Sequence, residues 1–289
     1  MPGLSQEFGH YRHLTAFYRD EDTDSFRDDN LDLLTAESNA RTILPYSQRS
    51  NPNLTLHDAA HSLRVIAIIN SIIDVIKNNG GTLSRTEIRI LYFSAWYHDI
   101  GIILSENEYG PGEHKYDHAQ LSVKILRAFP EEYFKTTSED RDRFIDAVCH
   151  TILSHRHGTE DVPATFRIHE ETVRLRLISA ILCLADLCDI SSRRAPKMVY
   201  DLLSNELNMN PLDGEEIRHW VANIATTIDF NVRYQTIFIR FESRLKCKVI
   251  LDSMEKYGNM HIKTISEYVS FPVSIEYIPS AENDCEETY

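Results

Sequence analysis

His98 and Asp99 stand side by side at the end of an otherwise apolar segment, LYFSAWYHDIG. A carboxylate is rarely tolerated in such surroundings without a cation or a hydrogen-bonding partner. Asp186 repeats the pattern inside ISAILCLADLCDI, and His57 and His61 are four apart in LHDAAHSLRV. Of the 13 histidines, nine fall between residues 57 and 169: His57, His61, His98, His114, His118, His150, His155, His157 and His169. Several lie in apolar stretches, where an unpaired imidazole is costly to bury. Two chemistries satisfy such residues: ligation of a divalent metal by imidazole nitrogen and carboxylate oxygen, or hydrogen bonding within the core. Spacing alone leaves both open for the His57/His61 pair and for Asp99. Asp186 is read as a site residue. Asp189, three residues on, is read as a structural acid that caps the next loop or pairs with Arg193 or Arg194 on the surface.

Helices must position these groups. Apolar residues recurring at Leu63, Ile66, Ala67, Ile69, Ile73 and Ile76 predict a helix over 56–77, stopped by Asn78-Asn79-Gly80-Gly81. His57 and His61 would then share one face, a turn apart. A second, very apolar helix is predicted from Ser84 to Ile100, closed by Gly101. After a loop holding Tyr109-Gly110-Pro111-Gly112, a third runs from His118 to Phe129, and a fourth, starting around Ser138 and Arg141, carries AVCHTILSH. A fifth spans 172–190. A short amphipathic helix, 31–43, precedes the loop PYSQRSNPN, and further helices are expected over 198–207 and 215–225. Beyond Thr226, IDFNVRY, TIFIRFE, CKVILDS and VSFPVSIEYIP read as strands around one helix near 260–268. The expected organisation is an acidic leading segment with a helix (1–49), a helical metal-binding domain (50–225) and a small β-rich α+β region with an acidic tail (226–289). The fold class is mainly α with a small C-terminal α+β appendage.

Composition narrows the partners. The chain has 289 residues, 42% of them hydrophobic, and a formal charge of −14. Residues 1–30 hold seven acids against three bases and residues 280–289 hold four acids, so the termini carry −8 and the body −6. An acidic body argues against a long nucleic acid, whose binding is driven by basic residues displacing counterions. A small phosphate ester remains compatible, because a metal or a cationic pocket outweighs the distant field at contact range. No uninterrupted apolar run reaches the roughly 18 residues of a membrane span, and no signal peptide is recognisable, so a cytoplasmic protein without a membrane partner is expected. Five cysteines without a CxxC pair make a poor disulfide framework; Cys183 and Cys188 read as small core residues.

Taken in order on successive apolar helices, His61 in HSLRV, His98-Asp99 in YHDIG and Asp186 in ADLCD resemble the H…HD…D pattern of the HD superfamily of metal-dependent phosphohydrolases. The resemblance covers residues 50–195. It implies an HD-type helical bundle in which His61, His98, Asp99 and Asp186 bind one divalent transition metal (Mn, Fe, Ni, Co or Zn). Many members hold a second metal. His118 in EHKYDHAQLSVKIL and His155 in ILSHRHG stand where its ligands would be expected, with His150 and His157 competing for the latter role, and Asp99 would bridge. His57-Asp58-x-x-His61 is similar to a motif of the superfamily's cyclic-nucleotide phosphodiesterases, in which His-Asn precedes the metal-binding His. Asp58 replaces that Asn, so only a general-acid role for His57 carries over. Ile102 stands where many members have a Lys after HDIG, which removes the phosphate contact expected there.

The resemblance implies phosphoester hydrolysis by metal-activated water, with a small phosphate ester or nucleotide as substrate. Arg64 and Lys115 are candidate phosphate contacts, with surface ion pairing as the competing role; His150 and Asp189 complete the candidates on the substrate side. Two other classes are compatible with the same ligands. One is a catalytically silent metal- and nucleotide-binding regulator, with the β-rich region as a homo-oligomer surface. The other is a di-iron HD-type oxygenase.

Overall fold

The structure, a computed structural model, describes residues 9–16, 23–50, 54–104, 117–134, 141–205 and 214–280. His114, Lys115, the 109–112 loop, Cys285 and the acidic tail lie outside the described residues.

Helix α1, Thr23–Ser50, runs beyond both ends of its predicted span and through Pro45. An interior proline removes a backbone hydrogen bond, at a cost of about 3 kcal/mol. Burial of Leu33, Ala36, Ala40 and Leu44 along one face offsets it, so PYSQRS continues the helix instead of opening a loop. Helix α2, Ala59–Asn78, starts two residues after His57, because Asp58 is its N-cap and accepts a hydrogen bond from the His61 amide at 2.9 Å. The shared helical face expected for His57 and His61 is therefore not formed. By length and mean composition α2 is apolar enough to cross a membrane, although polar residues interrupt its apolar run as expected. It is an interior helix: Val65, Ile69, Ile72 and Ile76 are buried, and it packs on α1, α3 and α6.

Helix α3, Arg85–Tyr97, opens with a capping box between Ser84 and Glu87. The same Glu87 carboxylate takes hydrogen bonds from Arg174 at 2.7 and 2.8 Å, immediately before α6, Leu175–Cys188. This half-buried pair ties the beginnings of α3 and α6 together, and their far ends carry the chemistry. After α3 a 3-10 turn, Ile100–Leu104, presses against the start of α4, His118–Ala128. A Cβ on Gly101 would lie 2.1 Å from the His118 carbonyl oxygen, so only glycine allows this approach. Ser122 clamps it, accepting from the Gly101 amide and donating to the His98 carbonyl, each at 2.8 Å. Helix α5, Arg141–His157, packs on α3, α4 and α6.

A hairpin of β1, Phe166–Ile168, and β2, Glu171–Val173, lies where the fifth predicted helix was expected to begin, and turns through His169 at φ 51°. Helices α7, Lys197–Leu203, and α8, Gly214–Ile224, follow around a small cluster of Ala195 and Trp220. Strands β3, Thr226–Asn231, and β4, Thr236–Phe241, pair antiparallel, and β5, Ser274–Pro279, joins β4 in parallel, all within the chain. The crossover is α9, Arg244–Ser253, a π turn, Met254–Gly258, and α10, Asn259–Ser266. CKVILDS is therefore helix, not strand: Cys247, Ile250, Leu251 and Met254 are buried at i, i+3, i+4 and i+7. The fold is mainly α with a small α+β part, whose apolar residues join the bundle's core and whose α10 packs on α6.

Candidate metal centre

Five helix ends meet at one place. His61 lies in the first turn of α2, His98-Asp99 directly after α3, His118 at the start of α4, His155 in the last turn of α5 and Asp186 in the last turn of α6. His61 Nε2 and His98 Nε2 are 3.1 Å apart. Asp99 Oδ2 lies 3.4 and 3.2 Å from them, and Asp186 Oδ1 3.3 and 3.8 Å. The other oxygen, Asp99 Oδ1, lies 3.5 Å from His118 Nε2 and 3.8 Å from His155 Nε2, which are 2.9 Å from each other. Asp99 thus belongs to two adjacent clusters, one through each oxygen.

The outer ring nitrogens set the tautomers. Nδ1 of His61 donates to Asp189 Oδ2 at 2.6 Å, Nδ1 of His98 to the Ala95 carbonyl at 3.0 Å and Nδ1 of His155 to the Ile152 carbonyl at 2.5 Å. Each Nε2 therefore turns a lone pair inward. Burial, reinforced by His118 and His98, holds His155 down at about 3, neutral as a ligand must be. Burial also opposes charge on Asp99, but the imidazoles around it outweigh that and keep its carboxyl well below the usual range. At His61 burial and Arg194 favour the neutral ring, yet Asp186, Asp189 and Asp99 together push it up to about 10. So many carboxylates call for a cation, either a proton on His61 or a metal.

The spacing favours the metal. Contacts of 3.2–3.8 Å between imidazoles and carboxylates are longer than charge-assisted hydrogen bonds, which run about 2.7–2.9 Å. Three of them, at 3.2–3.4 Å, fall in the range of the edges of a coordination polyhedron, about 3.0 Å octahedral or 3.4 Å tetrahedral for bonds of about 2.1 Å. Asp99 Oδ2 and Asp186 Oδ1 are buried and make no hydrogen bond among the described residues. His61, His98 and Asp99, and likewise Asp99, His118 and His155, could each hold a metal ion, and Asp186 adds a donor to the first group.

The remaining candidates separate cleanly. Asp189 is buried and not on the surface; its second oxygen accepts from Arg64 Nε at 2.7 Å. Both residues stand behind His61 and line neither of the two cavities beside the cluster. His150 packs its ring on Phe166, 6.0 Å between centroids, away from the cluster. His155 is the α5 histidine that reaches it, and the side chain of His157 is not among those described. His57 reaches the site from the loop, its ring 5.7 Å from that of His61. It donates from Nδ1 to the Thr55 carbonyl at 2.5 Å and accepts from Arg194 at Nε2 at 2.7 Å. Burial and Arg194 hold it down at about 3. In this arrangement Nε2 carries no proton, which speaks against the expected general acid and makes His57 a partner that orients Arg194.

Two adjoining cavities, about 580 and 520 Å³, open beside the cluster and share His57, His118, Asp186 and Arg194. Arg194 was read only as a surface partner for Asp189; its guanidinium lies 3.6 Å from Asp186 Oδ1. Arg156 on α5 also lines both, and the larger cavity is walled further by Lys256, Tyr257 and His261 of the π turn and α10. A family model described as HD-CE matches residues 52–244, which takes in every residue of the two clusters. The chain belongs to the HD-CE family. Comparison with curated proteins and with solved structures gives no match. The matched stretch of this HD-CE chain ends within α9, so the wall supplied by Lys256, Tyr257 and His261 lies beyond it. No local motif marks those residues; they meet the centre only because α10 packs on α6.

Proposed function

We propose that this HD-CE protein is a metal-dependent phosphohydrolase acting on a small phosphate ester or nucleotide, with His61, His98, Asp99 and Asp186 holding one divalent ion and Asp99, His118 and His155 a second. The observation that carries this reading is the two-sided Asp99, with one oxygen in each cluster at the floor of a cavity. Bound divalent ions would supply positive charge for a phosphoryl group and for an attacking water. The chain's own residues complete the site. Arg194 adds a permanent positive charge beside Asp186, and His57 holds that guanidinium in place. Asp189, clamped by Arg64, keeps the His61 Nε2 lone pair directed inward. The acidic body favours a small ester over a nucleic-acid backbone. A cytoplasmic location fits the free, buried cysteines at 149, 183, 188 and 247.

The test is a screen of phosphomonoesters, cyclic nucleotides and nucleoside triphosphates with manganese, nickel and cobalt. At least one ester should be turned over, and Asp99→Ala should abolish both hydrolysis and metal content, whereas His98→Ala should abolish hydrolysis and lose the ion of the first cluster. A protein that binds a nucleotide and releases it unchanged, or one that retains iron and consumes oxygen with an organic substrate, contradicts the reading.

A further inference from the structure

The larger cavity has a wall that the metal centre does not use. Apart from the ligands Asp99 and Asp186, its charged residues are Arg156, Arg194 and Lys256 against one carboxylate, Glu160. Arg194 is engaged with His57 and Asp186. Arg156 and Lys256 make no ion pair among the described residues; Lys256 Nζ donates only to the neighbouring Tyr257 hydroxyl at 3.2 Å. The same cavity is lined by His261, which is 5% exposed and whose Nδ1 is buried without a hydrogen-bond partner among the described residues. The inner histidines of the centre differ: Nδ1 of His57, His61, His98 and His155 each has a partner within the chain. An orphaned buried nitrogen costs about 1–3 kcal/mol, a cost that a ligand hydrogen bond removes. Lys256 and Tyr257 are presented by a five-residue π turn, Met254–Gly258. Such turns are rare and occur frequently at functional sites.

We propose that this wall is a second anion subsite, in which Lys256, Arg156 and His261 receive a distal phosphate of the substrate. The substrate class is thereby narrowed to esters carrying at least two phosphoryl groups. The placement of the scissile phosphate rests on the hydrolase reading above; binding at the wall does not.

Calorimetric titration of the full-length protein with inorganic triphosphate and with orthophosphate tests it, once after chelator treatment and once with manganese in excess over protein and probe. Triphosphate should bind more tightly than orthophosphate in both arms by at least about tenfold, the equivalent of one charge-assisted hydrogen bond. Lys256→Gln, Arg156→Gln and His261→Asn should each narrow that ratio severalfold while leaving the metal content unchanged. Equal affinities in the unmodified protein, or a ratio that none of the three variants alters, overturns the subsite. Triphosphate binding that depends on Lys256, in a protein that takes no metal and hydrolyses nothing, overturns the hydrolase reading and leaves the subsite standing. Hydrolysis of monophosphates as fast as triphosphates, with the binding ratio untouched in all three variants, does the reverse.

Discussion

Replacing Asp189 by Asn keeps the shape of the side chain and removes its charge and one acceptor. The native carboxylate accepts from His61 Nδ1 at 2.6 Å and from Arg64 Nε at 2.7 Å. An amide has one oxygen for these two donors. If that oxygen stays on Arg64, its NH2 group faces the His61 Nδ1–H, donor against donor. The ring must then rotate or move its proton to Nε2, and either change takes the lone pair out of the first cluster. Loss of an outer partner of a ligating histidine typically costs about 10–100-fold in metal affinity, or about 1.4–2.7 kcal/mol. Asp189 has no contact with His118 or His155, so only one of two metal equivalents should weaken. Competition with a chromophoric chelator resolves this as one shifted and one unshifted step. If both steps of Asp189→Asn stayed within about twofold of the unmodified protein, the argument that Asp189 orients a ligand would be refuted.

Two further outcomes follow from the same geometry. In metal-free protein the folded pKa of His61, about 10, lies above its unfolded value of about 6.5, so its contribution to stability is fully present below pH 6.5 and is lost as pH rises through 10. Thermal melts should therefore show metal-free protein weakening between pH 7 and 10, while metal affinity climbs with pH as the competing proton leaves; flat profiles for both contradict the assignment. Gly101→Ala would place a methyl carbon 2.1 Å from the His118 carbonyl oxygen and 2.3 Å from the Ser122 amide nitrogen. Backbone must move, at about 3 kcal/mol or more, and denaturant titration should show that loss together with weaker binding at the cluster of Asp99, His118 and His155.

The residues of the two clusters were legible because each breaks a local rule. Asp99 and Asp186 are acids in apolar helices, and His61, His118 and His155 are imidazoles at helix ends, anomalies that survive without tertiary information. Asp58 also carried its signal: an acid just before an apolar helical period is an N-cap, and reading it so would have placed His57 in the loop. CKVILDS was misread because its β-branched residues suggested strand while its spacing was helical. The extent of α1 past Pro45 was not legible, since burial against the bundle overrides a local helix breaker. Nor was the far wall of the site. Arg156 lies on the helix of His155, but Lys256 and His261 come some hundred residues later and carry no pattern of their own; packing alone brings them in. Asp189 misled for a related reason: nearby arginines suggested the surface, whereas its partners, His61 and Arg64, are more than 120 residues distant in sequence.

The central claim is that two metal ions share Asp99. Elemental analysis of protein purified without chelator and reconstituted with manganese tests it most directly, set beside Asp99→Ala and His155→Ala. The account predicts two equivalents per chain in the unmodified protein, one in His155→Ala and none in Asp99→Ala. No bound metal in the unmodified protein, or full metal content in Asp99→Ala, would contradict it.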